Sequence, residues 1–438
     1  MFKDIFSIVE KLKANTFILQ SIKTLALRIF GIIVLFGFTL YLTNHYNPKI
    51  IGQYDFIRTF LLVVGSICLV GTEQSILYFS GVLKSTDSIS SLKEIYKKMV
   101  FIIFIISVVF FVFVFQINEQ IISNFFHDKL IYPIIIRSTA ILFFYSLTLL
   151  NTEVFRALES VYIAEIFRNT LKYISVIIGS VILLHLNQQE FLVDTFLFGF
   201  VLLSLISTFM VIRLFRVEIA PKKLDLDTFS YSMILNKSYP MAISAMAIFL
   251  LMTFDIVFLK KYRGDQTVAF YNVAIKIMTI ISMVINIINV TIASKIAEYF
   301  SSNDSEKLTN TLKNASRLIF ILTFPLSLLV CFYPDFILGF FGQDYLVAKE
   351  PLIILVIGQG VCSFFGTAPV YLNMTGRQNA FQIILIIAVF INFILNRFLI
   401  PIYGMTGAAI AFSASMFFWN FTVALLVYIK DKKAIFLN

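Results

Sequence analysis

The sequence predicts an all-α, polytopic membrane protein whose twelve transmembrane helices form two six-helix repeat lobes around a central cavity. Hydrophobic residues make up 59% of the 438 residues and charged residues only 14%, against roughly 45–50% and 25% in soluble domains. Twelve apolar segments are long enough to cross a bilayer, which takes about 20 residues. The second half of the chain also repeats features of the first half. Together these observations indicate a transporter-like membrane protein.

The predicted spans follow one another along the whole chain. They are residues 22–43, 53–79, 97–115, 131–152, 161–184, 191–212, 238–259, 268–294, 314–333, 349–372, 379–400 and 405–429. An even number of spans puts both termini on the same side. The loops on that side carry about four times as many Lys and Arg as the other loops, and cytoplasmic loops collect these residues. Both termini are therefore predicted to be cytoplasmic, although KKYRGD (260–265) in the seventh loop departs from the rule.

An internal repeat relates the two halves of the chain. A shift of close to half the chain length lays spans one to three over spans seven to nine, with Tyr54 on Tyr271. At almost the same shift, IISNFFHDKL (121–130) overlies ILGFFGQDYL (337–346). Parallel repeats of six spans are typical of transporters that work by alternating access. The predicted parts are an N-terminal lobe at 1–215, a cytoplasmic linker at 216–237 and a C-terminal lobe at 238–438.

Five cations fall within the predicted spans, where a charge that faces lipid is costly. They are Arg28, Arg58, Arg137, Lys276 and Arg397. Arg28 and Arg397 lie close enough to a helix end for the side chain to reach the interface. The cations outnumber the acids near them, which favours a hydrated, anion-binding cavity over internal salt bridges as the competing explanation. We predict Arg28, Arg58, Arg137 and Lys276 as substrate-binding residues.

Three acids within the spans are candidates for ion coupling, namely Asp55, Glu73 and Asp255. On one continuous helix, Asp55 and Glu73 would share a face with Arg58. An acid within a span can carry a proton or bind a cation. The alternatives are a salt bridge for Asp55 and an interfacial position for Glu73.

The residue patterns give no support for an enzyme, a cofactor or a metal site. The three cysteines, Cys68, Cys331 and Cys362, lie in apolar runs without paired spacing. The sequence contains no P-loop, HExxH or nucleophile-elbow motif. The formal net charge of +10 is attributed to cytoplasmic loops, so we predict no nucleic-acid partner.

Four short motifs are left to interpret. They are Gly52-Gln53-Tyr54, FFGQDYLVAKEPL (340–352), NMTGRQNA (373–380) and NFILNRFLIPIYGMTGAAIAFSAS (392–415). With these motifs, the chain resembles the multidrug/oligosaccharidyl-lipid/polysaccharide exporter superfamily. Within it, the chain looks like the polysaccharide biosynthesis branch of Wzx-type O-antigen flippases. The likeness covers nearly the whole chain, and its motifs are mostly structural.

The resemblance implies a flippase for undecaprenyl-pyrophosphate-linked oligosaccharide. Such proteins move the repeat unit from the cytoplasmic to the outer leaflet of the bacterial cytoplasmic (inner) membrane, for O-antigen (lipopolysaccharide) or capsule assembly. Related lipid flippases carry cavity arginines in spans one, two and eight, where Arg28, Arg58 and Lys276 stand in this sequence. Lys276 departs from the pattern, since lysine lacks the planar fork that grips phosphate. The implied partners are the lipid-linked substrate, membrane lipids, and a polymerase and chain-length regulator of the same pathway.

Two other functions stay open at this point. An ion-coupled multidrug antiporter of the same superfamily would have an acid-rich cavity that attracts cationic drugs. A membrane scaffold without transport would need no cations at similar depth in both lobes.

Overall fold

The computed structural model describes residues 16–85, 89–217 and 229–432, and all regular elements in these ranges are helical. In chain order the α-helices are α1 Thr16–His45, α2 Pro48–Leu69, α3 Thr72–Ser85, α4 Leu92–Gln116, α5 Glu119–Phe126, α6 Ile131–Ala140, α7 Leu142–Ala157, α8 Val161–Ile166, α9 Lys172–His185, α10 Leu192–Val217, α11 Tyr231–Arg263, α12 Asp265–Ser301, α13 Ser305–Phe332, α14 Pro334–Gly339, α15 Lys349–Cys362, α16 Ala368–Met374, α17 Gln378–Tyr403 and α18 Met405–Asp431. A π-helical turn joins α8 to α9.

The described residues include ten helices that are long and apolar enough to cross a membrane. The count rises to twelve if each of two bent helix pairs, α6 with α7 and the two halves of α11, is one span. The predicted all-helical, multi-pass fold is confirmed. Of the predicted linker, residues 218–228 lie outside the described ranges.

The second predicted span, residues 53–79, consists of two helices rather than one. Val70 and Gly71 have φ angles of 47° and 77°, which end α2 before α3 begins. A side chain at Gly71 would also place its Cβ 2.3 Å from a backbone oxygen of α11. The predicted common face from Asp55 to Glu73 is therefore wrong, because Glu73 follows the break.

The chain forms two compact units. The first unit consists of Met1–His45, Val64–Ile121 and Leu130–Ala242, and the second of Tyr46–Val63, Ile122–Lys129 and Ile243–Asn438. Two segments from the first half of the sequence, Tyr46–Val63 and Ile122–Lys129, thus pack within the second unit. One of them contains most of α2 and the other the end of α5.

Each unit has its own apolar core. In the first unit, Ile76, Ile95 and Leu150 are fully buried. In the second, Leu385 and Val423 are at most 1% exposed. Large apolar side chains are also exposed along the helices, including Phe113, Phe209, Phe332 and Phe390. These side chains lie in helices apolar enough to cross a membrane, so they are suited to contact lipid.

The Gly-Gln-Tyr motif at the head of α2 packs against the start of α12 in the second unit. A Cβ on Gly52 would lie 1.8 Å from the carbonyl oxygen of Asp265. The Gln53 side chain hydrogen-bonds to the Asp265 carboxylate, and Tyr54 is buried. The motif is therefore a packing contact between these two helices.

Replacing Gly52 with Ala should lower the free energy of unfolding by about 1–3 kcal/mol, because the backbone of Asp265 must move to admit a methyl group. Gly81 in α3 is the matched control, since a Cβ there meets nothing within 4 Å. Ala at position 81 should be neutral or stabilising by up to about 1 kcal/mol. Unfolding in detergent micelles measures both variants, and equal effects would contradict the contact.

Candidate functional site

Asp55 of α2 and Lys276 of α12 form a buried ion pair in the second unit. The Lys276 Nζ lies 3.2 Å from Asp55 Oδ1 and 3.3 Å from Oδ2. The Arg58 Nη2 lies 3.5 Å from the same Oδ1. Asp55 is fully buried and Lys276 nearly so, whereas the Arg58 side chain is 28% exposed. Two cations converge on one carboxylate, so the cluster carries surplus positive charge.

Tyr345 brings the FFGQDYL motif to this cluster. It lies in the 3-10 turn Gln343–Ala348, and its ring packs edge to face against Phe270 with centroids 5.1 Å apart. The residue is 1% exposed, and the charges of Asp55 and Asp344 both act on its hydroxyl. The cluster thus draws on α2, α12 and the turn before α15.

Lys260, in the KKYRGD segment, is a buried cation with two acidic partners. Its side chain is 1% exposed. The Nζ lies 2.7 Å from Asp128 Oδ2 and also pairs with Asp265. A buried charge is tolerated when it is paired in this way.

The other cations of the segment also have partners within the second unit. The Lys261 Nζ lies 3.8 Å from the centre of the Phe125 ring, a cation–π contact. The Arg263 Nη2 donates to the carbonyl of Pro401 at 2.9 Å, at the end of α17, where helical carbonyls lack partners within the helix. Internal contacts therefore account for a basic segment that departs from the charge rule for loops.

Asp255 of α11 is fully buried among neutral partners in the second unit. The Tyr271 hydroxyl donates to its Oδ2 at 2.9 Å. The amides of Asn396 and Asn392 donate to its Oδ1 at 2.7 Å and 3.4 Å. The Asn396 Oδ1 is buried and has no hydrogen-bond partner among the described residues. A buried carboxylate beside a spare amide oxygen has the chemistry to hold a proton or a small cation.

Arg28 belongs to an ion-pair network in the first unit. It grips Glu165 of α8 with two hydrogen bonds, Nε to Oε2 at 3.1 Å and Nη2 to Oε1 at 2.8 Å. Arg156 donates to both acids, from Nη2 to Glu165 Oε1 at 3.1 Å and from Nη1 to Glu153 Oε2 at 3.2 Å. Arg168, in the π-helical turn, binds Glu153 at 2.9 Å. The network joins α1, α7 and the α8–α9 segment, so Arg28 has a structural partner in this structure.

The remaining predicted residues also lie in the first unit. Arg137 is half exposed and pairs with Asp194, Nη1 to Oδ1 at 2.9 Å. Glu73 has one carboxylate oxygen that is buried without a hydrogen-bond partner among the described residues, and it lies in the field of Glu153 and Arg168. The predicted residues are thus divided between the units, with Asp55, Arg58, Lys276 and Asp255 in the second.

Several polar residues at these clusters were not among the predicted site residues. Asn392 and Asn396 stand four apart in an apolar span, which places both amides on one helix face and could have indicated the Asp255 cluster. Glu165, in the fifth predicted span, was a comparable signal for the network around Arg28. Tyr345 had no such signal, because it lies in a turn between spans. Among the described residues, no group of three or more His, Cys, Asp or Glu is placed to hold a metal ion.

Two family models match the chain. The model described as "Polysaccharide biosynthesis protein" matches residues 12–293. The model described as "MatE" matches residues 240–398.

The curated relatives that match are archaeal. A "Probable low-salt glycan biosynthesis flippase Agl15" of Haloferax volcanii is 26% identical over 165 residues, which are 37% of this chain and 34% of the relative. An "Uncharacterized membrane protein MJ1068" of Methanocaldococcus jannaschii is 28% identical over 191 residues, 43% of this chain and 36% of the relative. The matched part thus spans about a third of the length of each relative.

Solved transporter structures share the fold. One, "Lipid II flippase MurJ, inward closed conformation", superposes with a TM-score of 0.73 at 15% identity, covering 94% of this chain and 90% of that one. An inward-facing multidrug resistance MATE family transporter of the MOP superfamily superposes with a TM-score of 0.69 at 13% identity, covering 95% and 98%. At these identities the likeness concerns the fold alone.

Proposed function

The chain belongs to the polysaccharide biosynthesis protein family, and from this premise we propose that it flips a lipid-linked oligosaccharide across the membrane. The proposed cargo is an undecaprenyl-pyrophosphate-linked repeat unit, moved from the cytoplasmic to the outer leaflet by alternating access. The product serves the assembly of a surface polysaccharide, O-antigen or capsule. A polymerase and a chain-length regulator of the same pathway are the proposed protein partners. The proposed location is the bacterial cytoplasmic (inner) membrane, with both termini cytoplasmic.

The observation that carries this proposal is the cluster of Arg58 and Lys276 around Asp55. Its two cations exceed its one acid, and Arg58 keeps part of its side chain exposed. A pyrophosphate head group is anionic, and hydrogen bonds between ionised groups are about twice as strong as neutral ones. The prenyl tail is apolar and can stay in lipid while the head group crosses.

Arg28 and Arg137 are weaker candidates as substrate contacts. Two hydrogen bonds hold the Arg28 guanidinium on Glu165, and Arg137 pairs with Asp194, whereas Arg58 and Lys276 share one acid. We therefore expect smaller losses of flipping when they are replaced than when Arg58 or Lys276 is replaced.

Asp255 is the proposed ion-coupling residue among the three predicted acids. Asp55 is held by two cations, and Glu73 lies in the field of two charged groups, Glu153 and Arg168. The hydrogen-bonding side chains around Asp255 are neutral, so gaining or losing a cation there changes the charge of the cluster most directly.

Replacing Asp255 with Asn should reduce the stimulation of flipping by an imposed proton or sodium gradient at least tenfold. Asn keeps the size of Asp but not its charge: its oxygen can still accept from the Asn396 amide, and its NH2 can donate to the Tyr271 hydroxyl oxygen, so the fold is expected to survive. Asp335→Asn is the control, because Asp335 is an exposed acid of the same unit that pairs with Lys349. Gradient-driven flipping by Asp255→Asn at the wild-type rate would rule out the coupling role.

The runner-up function is an ion-coupled multidrug antiporter. The observation in its favour is the buried acid Asp255, which lies inside the range matched by the MatE model. Such a protein would carry cationic dyes rather than glycolipid.

One reconstitution experiment separates the two functions. The full chain in vesicles is assayed for movement of an undecaprenyl-pyrophosphate oligosaccharide between leaflets, and in parallel for ethidium uptake. Glycolipid movement without dye uptake is the expected result. Gradient-driven ethidium uptake without glycolipid movement would replace the flippase by the antiporter.

A further inference from the structure

Several hydrogen-bond donors lie on the elements that form the cluster around Asp55. Lys276 and Arg58 both reach the Asp55 carboxylate. Tyr345 presents a hydroxyl to the same neighbourhood. Asn272 lies one helical turn before Lys276 on α12, so the two side chains share a face.

Two of these donors are buried and unsatisfied. Tyr345 is 1% exposed and Asn272 is 3% exposed. The Tyr345 hydroxyl and the Asn272 Nδ2 have no hydrogen-bond partner among the described residues. Leaving a buried donor without a partner costs free energy, so each such group calls for an explanation, and a bound ion is one. Both donors suit the oxygens of an anion.

We propose that Asp55 takes, in the unloaded protein, the place of one phosphate of the substrate, and that Tyr345 and Asn272 join Arg58 and Lys276 in binding that phosphate. The inference rests on the proposed function and deepens it. Arg58 is the exposed member and meets the phosphate first. The phosphate then displaces the Asp55 carboxylate from Lys276, whose side chain is 8% exposed.

The exchange makes Asp55 a residue that determines specificity. The pyrophosphate of the cargo carries one negative charge on each phosphate, so its two charges together compete with the single carboxylate for two cations, whereas chloride, with one charge, does not. Asp55 lies in Tyr46–Val63, which packs within the second unit. Displacing its carboxylate therefore removes an ion pair that fastens this segment to α12.

The test is binding of farnesyl pyrophosphate to the full chain in nanodiscs, with farnesol as the neutral control ligand. Asp55→Asn should tighten farnesyl pyrophosphate binding at least tenfold and make it sensitive to chloride, because a competing charge is lost. Tyr345→Phe and Asn272→Leu should each weaken binding three- to tenfold while the melting temperature stays the same or rises. Asp335→Asn, which removes an exposed acid of the same unit, should leave the affinity unchanged.

The outcomes separate this inference from the proposed function. If the wild-type chain binds farnesyl pyrophosphate and the Asp55, Tyr345 and Asn272 variants bind it with the same affinity, the exchange is overturned and the flippase function stands. A wild-type chain that binds farnesyl pyrophosphate no better than farnesol would overturn both. If Tyr345→Phe and Asn272→Leu lower stability without changing affinity, their donors are structural and the inference fails.

Discussion

Removing the three charges of the Asp55 cluster together should lower the rate of glycolipid flipping at least 100-fold while the protein stays folded. The variant is Asp55→Asn, Arg58→Gln and Lys276→Gln in one chain. A hydrogen bond to a charged group contributes about 1.5–3 kcal/mol, so losing two phosphate-binding cations removes about 3–6 kcal/mol. A tenfold change in rate corresponds to about 1.4 kcal/mol.

The combined variant is needed because a single replacement would lower stability as well as transport, and the two effects could not be separated. Lys276→Gln alone would leave a fully buried Asp55 with only the more distant Arg58 as its ion-pair partner in this cluster. Breaking one side of a buried pair is itself destabilising by about 3–5 kcal/mol. Neutralising all three groups avoids this uncompensated charge.

Arg397→Gln is the matched control for losing a cation from a predicted span. Its side chain is exposed and contacts the Tyr262 hydroxyl in the second unit. Flipping by this variant should stay within about twofold of wild type, since surface contacts contribute little. If the triple variant of the Asp55 cluster retained more than a tenth of the wild-type rate, the cluster would not bind the substrate.

The part of this cluster that could be predicted from the sequence is the local part. Arg58 and Asp55 stand three apart on one helix, so their contact follows from helical geometry. In the internal repeat, Lys276 aligns one position away from the residue that corresponds to Arg58. The repeat predicts similar depth for the two cations, but it could not show that both reach the same carboxylate.

The break in the second predicted span shows why hydropathy alone was insufficient. The segment from 53 to 79 is mostly apolar and long, so its composition predicts one helix. Two consecutive residues with positive φ, Val70 and Gly71, end that helix. Glycine is compatible with either reading, because membrane spans often contain it. Predicting one helix also affected the predicted site, because it wrongly placed Glu73 on the same helix face as Asp55.

The ion pairs between residues far apart in the sequence could not be predicted for a different reason. Glu165 and Arg28 are 137 residues apart in sequence, and Lys260 and Asp128 are 132 apart. Counting charges in loops assigns each one to water or to a membrane side, but it cannot assign partners. The KKYRGD segment departs from the charge rule because its cations are held by internal contacts.

Lys260→Met should lower the free energy of unfolding by about 3–5 kcal/mol, because it leaves Asp128 and Asp265 facing each other without their shared cation. Methionine matches the length of the lysine stem, so lost packing contributes little. Equilibrium unfolding in mixed SDS micelles measures the change. Lys261→Met, whose cation contacts the faces of Phe125 and Tyr262, should cost at most about 1 kcal/mol.

A second-site variant tests whether the effect of Lys260→Met is electrostatic. Adding Asp128→Asn and Asp265→Asn to Lys260→Met removes the two acids that pair with Lys260, and replacing a buried ion cluster by neutral groups is often close to neutral in stability. We therefore expect the triple variant to recover most of the lost stability. A triple variant no more stable than Lys260→Met would mean that Lys260 acts through packing. In that case the ion pairs would not be what fastens Ile122–Lys129 to the start of α12.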